Sequence, residues 1–190
     1  TGLMLSLSDV ERIVSTNPDN VVIIDEAYID FGGESAITLT DRYDNLLVTR
    51  TFSKSYSLAG ARLGFGIGAS SLIADLNTIK YSTNPYNVNR ITMAAGVAAL
   101  KDNGYYMNNC KTIIENREWT SKELKKLGFT VTKSMTNFIF AKSDKIGGKE
   151  LYLALREKGV LVRHFDNPII TDYNRITVGT RAQMETLLET

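Results

Sequence analysis

The chain has one cysteine, Cys110, and one histidine, His164. A single cysteine excludes an internal disulfide, and one cysteine with one histidine cannot build a Cys/His zinc cage. The absence of disulfide chemistry fits a reducing, cytoplasmic setting. Charge of one sign is also missing: 22 Lys+Arg stand against 21 Asp+Glu, a net charge of +1. No electrostatic footprint for nucleic acid or an anionic membrane is present, so neither is expected as a partner. No apolar run reaches the length of a membrane span, and the opening "TGLMLSLSDVERIV" lacks the basic start of a signal peptide. Internal repeats and low-complexity segments are absent as well. What remains is a soluble globular chain of 190 residues with an ordinary apolar fraction, 43%, able to build one substantial domain or two small ones. Its Thr-Gly start reads as the end of a loop, and the expectation is a fragment.

The patterns along the chain predict α/β organisation. "SLSDVERIV" carries Ser8 with Glu11 three positions on, a capping-box pattern ahead of apolar residues at helical spacing. "VVIID" at 21–25 is a continuous β-branched run, the pattern of a strand buried on both faces of a parallel sheet. "LLVTRTF" at 46–52 and "RLGFGIG" at 62–68 repeat it. Helical patterns cover 70–81, the stretch after Pro85 up to Asn103-Gly104, and 105–128, closing at Gly128. After Gly128 the character changes to short strands, a helix at "KELYLALREKG" and a final helix at "RAQMETLLET". The expected organisation is part of a large α/β domain over 1–110 and a small α+β domain over 111–190, the boundary lying in the 105–128 helix.

In open α/β sheets, ligands bind at the carboxyl ends of the strands. Asp25 and Lys54 both stand at such ends, and Lys54 sits among the hydroxyls of Thr51, Ser53 and Ser55, with Arg62 eight positions on. A lysine amine becomes useful when a carbonyl partner traps it, and a cofactor aldehyde serves. Pyridoxal phosphate also requires a carboxylate at its pyridine nitrogen, a donor for its phenolic oxygen, and hydroxyls plus a cation for its phosphate. Asp25, Tyr28, the pair Thr51 and Ser53, and Arg62 are candidates for these roles.

"VVIIDEAYIDF", "TRTFSKSYSLAGARLGFGIG" and "NRITVGT" together resemble the fold-type I pyridoxal-phosphate aminotransferases, most closely their histidinol-phosphate branch, over essentially the whole chain. The resemblance implies the C-terminal part of a mostly parallel large domain followed by a small α+β domain. It also implies Lys54 as the Schiff-base lysine, and Asp25, Tyr28, Thr51, Ser53 and Arg62 as pyridoxal 5'-phosphate ligands. Arg175 matches the arginine that clamps a substrate α-carboxylate, and Arg163 a position associated with the substrate's phosphate. The implied activity is transamination between L-histidinol phosphate and 2-oxoglutarate, in histidine biosynthesis, by a cytoplasmic homodimer. A threonine-phosphate decarboxylase-like lyase shares the same cofactor ligands, and a non-catalytic fragment is the reading from another class. The chain departs from the family pattern at its front, where only "TG" of an Asn-Pro-Thr-Gly turn is present.

Blander readings apply to other residues. "GFGIG" lacks the spacing and the strand-to-helix context of a dinucleotide loop. Cys110 lies on one helical stripe with Met107 and Ile114 and reads as packing. His164 reads as an edge-strand residue, Asn137 as a cleft or turn amide, and Lys122, Lys125 and Lys126 as a solvated helix face.

Overall fold

A computed structural model describes all 190 residues, and they divide into two compact units: Leu5–Asn108, and Asn109–Thr190 together with Thr1–Met4. The division falls inside one long helix. The first four residues cluster with the C-terminal unit, where Met135 N–H donates to the Gly2 carbonyl at 2.8 Å and Thr132 Oγ1 donates to the Thr1 carbonyl at 2.9 Å.

The unit Leu5–Asn108 is built on a three-stranded sheet of β1 (Val22–Asp25), β2 (Leu46–Thr51) and β3 (Gly64–Gly68), in that order. β1 and β2 are parallel, with Asp25 opposite Thr49, whereas β2 and β3 are antiparallel. The link from β2 to β3 holds no α-helix, only the 3-10 turn Ala59–Ala61, so the chain returns directly rather than crossing over. The cap of helix α1 (Leu7–Ser15) lies two residues before the expected one: Ser6, not Ser8, is the N-cap, accepting from Asp9 N–H at 3.1 Å. Val10 and Val14 of α1 pack with Ala36, Leu39, Leu46 and Val48 as one core. The expectation of strands buried on both faces holds for Leu46–Val48 of β2 and fails for β1, where Ile23 is 61% exposed, and for β3, where Gly64, Phe65 and Gly66 are exposed. In this unit one side of β1 has core against it and the other has none. Helices α2 (Ser70–Thr83) and α3 (Arg90–Lys101) follow, and Ala99 of α3 joins Phe52 and Tyr56 in a second small core.

Helix α4 (Asn103–Lys126) leads into the C-terminal unit and ends near Gly128, whose positive φ of 90° suits only glycine comfortably; its N–H closes on the Lys125 carbonyl. That unit carries a four-stranded antiparallel sheet of β4 (Phe129–Val131), β5 (Phe138–Ser143), β6 (Arg163–His164) and β7 (Tyr173–Thr177), in the order β4-β5-β7-β6. Leu124, Ile139, Ala141, Ile176 and Val178 pack with Leu155 of α5 (Gly148–Glu157) and with Met184 and Leu187 of α6 (Arg181–Glu189). Thr180 and Gln183 form a reciprocal capping box at the start of α6. Cys110 is buried, and Lys122, Lys125 and Lys126 are exposed. No helix is long and apolar enough to cross a membrane.

Candidate active site

Three of the expected residues stand where β1 and β2 end and the chain turns away. Asp25 closes β1 and is exposed; its Oδ1 accepts the Ala27 N–H at 3.0 Å, which holds the carboxylate at the strand end and leaves its other oxygen open. Tyr28 lies just ahead of the 3-10 turn Ile29–Phe31. Lys54, in the loop after β2, is exposed, and its Nζ lies over the Tyr28 ring at 5.3 Å from the centroid, within range of a cation–π contact. It has no carboxylate partner.

The hydroxyls of Thr51 and Ser53 are paired: Thr51 Oγ1 donates to Ser53 Oγ at 2.9 Å and accepts the Ser53 N–H at 3.1 Å. The same Thr51 oxygen is 3.5 Å from the carbonyl of Leu63, the residue after Arg62. Phe52 N–H also donates to that carbonyl, at 3.0 Å, so the two ends of the loop are laced together. Arg62 is exposed and spends one guanidinium N–H on the Ala59 carbonyl at 3.1 Å. Its remaining donors form a fork suited to a phosphate or carboxylate.

This loop is strained. Ser57 and Arg62 have φ of 55° and 52°, the only non-glycine residues in the left-handed region. Each such residue costs on the order of 1–3 kcal/mol and persists only where its surroundings over-determine it. Gly64, which opens β3, is demanded sterically, since a Cβ there would come within 2.6 Å of the Arg50 carbonyl oxygen.

Beneath the loop runs a polar network that sequence reading passed over. Glu26, next to Asp25, has a side chain only 2% exposed. Its carboxylate accepts from Ala36 N–H at 2.6 Å, from Ser35 Oγ at 2.8 Å and from Arg50 Nε at 3.1 Å. Arg50 Nη1 donates to Asp30 Oδ1 at 3.1 Å, and Asp30 Oδ2 accepts from Ser55 Oγ at 2.5 Å. The available signal was a cation in the otherwise apolar "LLVTRTF", together with two acids flanking "AYI" in "DEAYID".

The other two candidates belong to the C-terminal unit and face each other across the β6–β7 pair, Arg163 opposite Arg175. Arg175 lies within β7, over the rings of Phe138 and Phe165 at 5.3 and 5.7 Å, and its Nε is buried without a hydrogen-bond partner. A buried guanidinium nitrogen with no acceptor in the protein is an available donor. Arg163 is exposed, its guanidinium 5.5 Å from the Phe165 ring. His164, on the edge strand, has a side chain 6% exposed; its Nε2 stands 3.5 Å from Asp166 Oδ1, and neither ring nitrogen makes a hydrogen bond.

The donor set around Lys54 fits pyridoxal phosphate. It offers an unpaired exposed amine, a free carboxylate oxygen at a strand end, a phenol beside the amine, two adjacent hydroxyls and a guanidinium with donors to spare.

Comparison with known proteins bears on the same point. The family described as aminotransferase class I and II matches residues 1–190. The histidinol-phosphate aminotransferase of Brachyspira hyodysenteriae is 52% identical over 190 residues, covering all of this chain and 54% of that protein. Among solved structures, the histidinol-phosphate aminotransferase of Clostridium acetobutylicum superposes with a TM-score of 0.90 at 26% identity, over 100% of this chain and 59% of that one. The Sinorhizobium meliloti enzyme of the same name, in complex with pyridoxal-5'-phosphate, shares the fold with a TM-score of 0.84 at 24% identity, over 100% and 53%. The chain thus spans about half the length of the curated relatives it matches.

Proposed function

This chain belongs to the aminotransferase class I and II family, and from that premise we propose that the protein carrying it transfers an amino group between L-histidinol phosphate and 2-oxoglutarate, using pyridoxal 5'-phosphate. The observation that carries the reading is the unpaired Lys54 amine over Tyr28, beside the Thr51–Ser53 hydroxyl pair. The identity to a histidinol-phosphate aminotransferase supports the choice of substrate. The unit Leu5–Asn108 is read as part of the large cofactor-binding domain and the C-terminal unit as the small domain.

Bound pyridoxal phosphate supplies an electron sink that stabilises negative charge developing at the substrate's Cα. The chain's own residues do the rest. Lys54 Nζ would hold the cofactor, and the same amine would act as the base that takes the proton from the substrate's Cα and as the acid that gives one back in the reverse direction. The Asp25 carboxylate would pair with the pyridine nitrogen, and the Tyr28 hydroxyl would donate to the phenolic oxygen. Thr51, Ser53 and Arg62 grip the phosphate with two hydroxyls and a charge-assisted fork. Arg175 takes the carboxylate of the 2-oxo acid, and Arg163 the phosphate of histidinol phosphate.

A homodimer is part of the proposal. Large apolar side chains stand exposed on the unit Leu5–Asn108, among them Ile23, Ile91 and Val97, and such surface favours association. A cytoplasmic location agrees with the single buried thiol.

The test is product analysis with L-histidinol phosphate and 2-oxoglutarate. The proposal predicts glutamate formed in step with consumption of the amino donor. Carbon dioxide released from a phosphorylated amino acid, with no 2-oxo acid consumed, would replace transamination by decarboxylation.

A further inference from the structure

The network beneath the loop connects the two halves of the candidate site through the residues that do not face the cofactor. Four of the candidate cofactor ligands have a near neighbour in it. Glu26 follows Asp25, Asp30 lies two residues beyond Tyr28, Arg50 precedes Thr51, and Ser55 follows Lys54. The links run without a break from Ser35 and Ala36 to Glu26, on to Arg50, to Asp30 and to Ser55, all at 2.5–3.1 Å.

We infer that Arg50 is a positioning residue that fixes the placement of Lys54 relative to Asp25 and Tyr28, acting through Glu26 on one side and through Asp30 and Ser55 on the other. Arginine suits this task because its planar fork donates in two directions at once, Nε to Glu26 and Nη1 to Asp30; a lysine in its place offers a single point charge. The arrangement is well shielded from water, since the Glu26 side chain is 2% exposed and that of Arg50 18%. Both carboxylates have further donors besides Arg50, Ser35 Oγ and Ala36 N–H on Glu26 and Ser55 Oγ on Asp30, which tie the two acids to separate segments of the chain. A buried ion pair is weak support for stability and better support for holding a geometry. Here the geometry needs holding: the loop that carries Lys54 contains the left-handed Ser57 and ends at the left-handed Arg62. Ser55 is buried and hydrogen-bonded to Asp30, so it anchors the loop at the residue next to the reacting amine.

The inference rests on the cofactor reading of Lys54, and the experiment separates the two. Ser55→Ala removes only the last link and leaves Arg50 paired with both acids. In cofactor-free protein, the Ser57 amide, which donates to the Lys54 carbonyl, and the Leu58 amide, which donates to the Phe52 carbonyl, report on the loop by hydrogen exchange. The Glu26 amide, bonded to the Thr49 carbonyl, reports on the sheet. The expectation is exchange on the order of tenfold faster at Ser57 and Leu58 with Glu26 unchanged, and, in the loaded protein, pyridoxal phosphate released about tenfold faster. Arg50→Lys should move both readouts the same way and further; if it does not fold, Ser55→Ala decides alone. Unchanged exchange at Ser57 and Leu58, or equal acceleration at Glu26, would overturn the positioning role. Wild-type protein that takes up no pyridoxal phosphate would overturn the cofactor reading, and the exchange result would still decide the network.

Discussion

Replacing Arg175 with methionine should leave the C-terminal unit about as stable as before while damaging turnover of 2-oxo acids. The structure sets the size of both effects. Arg175 makes no ion pair, and its buried Nε lacks an acceptor. Leaving such a donor buried and unmet costs about 1–3 kcal/mol, and its removal recovers that amount. Against it stands the loss of cation–π contact with Phe138 and Phe165, about 0.5–2 kcal/mol. Methionine keeps most of the apolar stem packed on those rings. The two terms nearly cancel, and the net change should fall within about 1 kcal/mol of zero. Loss of a charge-assisted, bidentate grip on a carboxylate costs about 2–5 kcal/mol, roughly a 30- to 4000-fold rise in KM for 2-oxoglutarate. Urea denaturation and separate measurement of the two half-reactions provide the assay. Histidinol phosphate carries a hydroxymethyl group where an amino acid has its carboxylate, so its half-reaction should suffer less. A loss of stability above about 2 kcal/mol, or equal damage to both half-reactions, would make Arg175 a structural residue and refute the reasoning.

Arg62→Ala should weaken retention of pyridoxal phosphate by about two orders of magnitude, read from absorbance of the loaded protein after dialysis. Gly96→Ala, inside α3, sets a Cβ against Leu63 Cδ2, the movable end of a side chain; the repacking and the helix-propensity gain of about 1 kcal/mol should nearly offset, so chemical denaturation should shift by less than about 1 kcal/mol. The Tyr43 hydroxyl donates to Glu11 Oε1 at 2.9 Å, and that carboxylate raises the phenol's pKa above its usual 10.0. The stability it contributes should therefore be complete below pH 10 and lost as the pH rises through the higher folded-state value, a dependence that Tyr43→Phe abolishes in denaturation curves taken across that range.

Strands whose side chains decide their own burial were legible from the sequence. "LLVTRTF" and the stretch after Gly128 form the strands their patterns suggest, and helices end where glycine or polar turns stop them. The direction of β3 was not legible, because "RLGFGIG" reads the same whichever way it pairs; the short link from β2 decides it. The start of α1 was misjudged by two residues because Ser6 and Ser8 both head plausible caps, and only the structure shows that Asp9 N–H turns to Ser6. The spacing of Thr51, Ser53 and Lys54 was enough to suspect a cofactor loop, since two hydroxyls and an amine so close in the chain are also close in space. Arg50 was overlooked for the opposite reason. Its meaning lies in partners 20 and 24 residues away, and a charge inside an apolar strand does not disclose which acids meet it. The pairing of Arg163 with Arg175 across β6 and β7 was hidden in the same way.

Lys54 is the residue on which the proposed chemistry turns. Protein carrying this chain, loaded with pyridoxal phosphate, should be coloured; after borohydride reduction and digestion, the peptide with Lys54 should bear the pyridoxyl group, and Lys54→Ala should be colourless under the same conditions. A pyridoxyl group on a different lysine, or none at saturating cofactor, would contradict it.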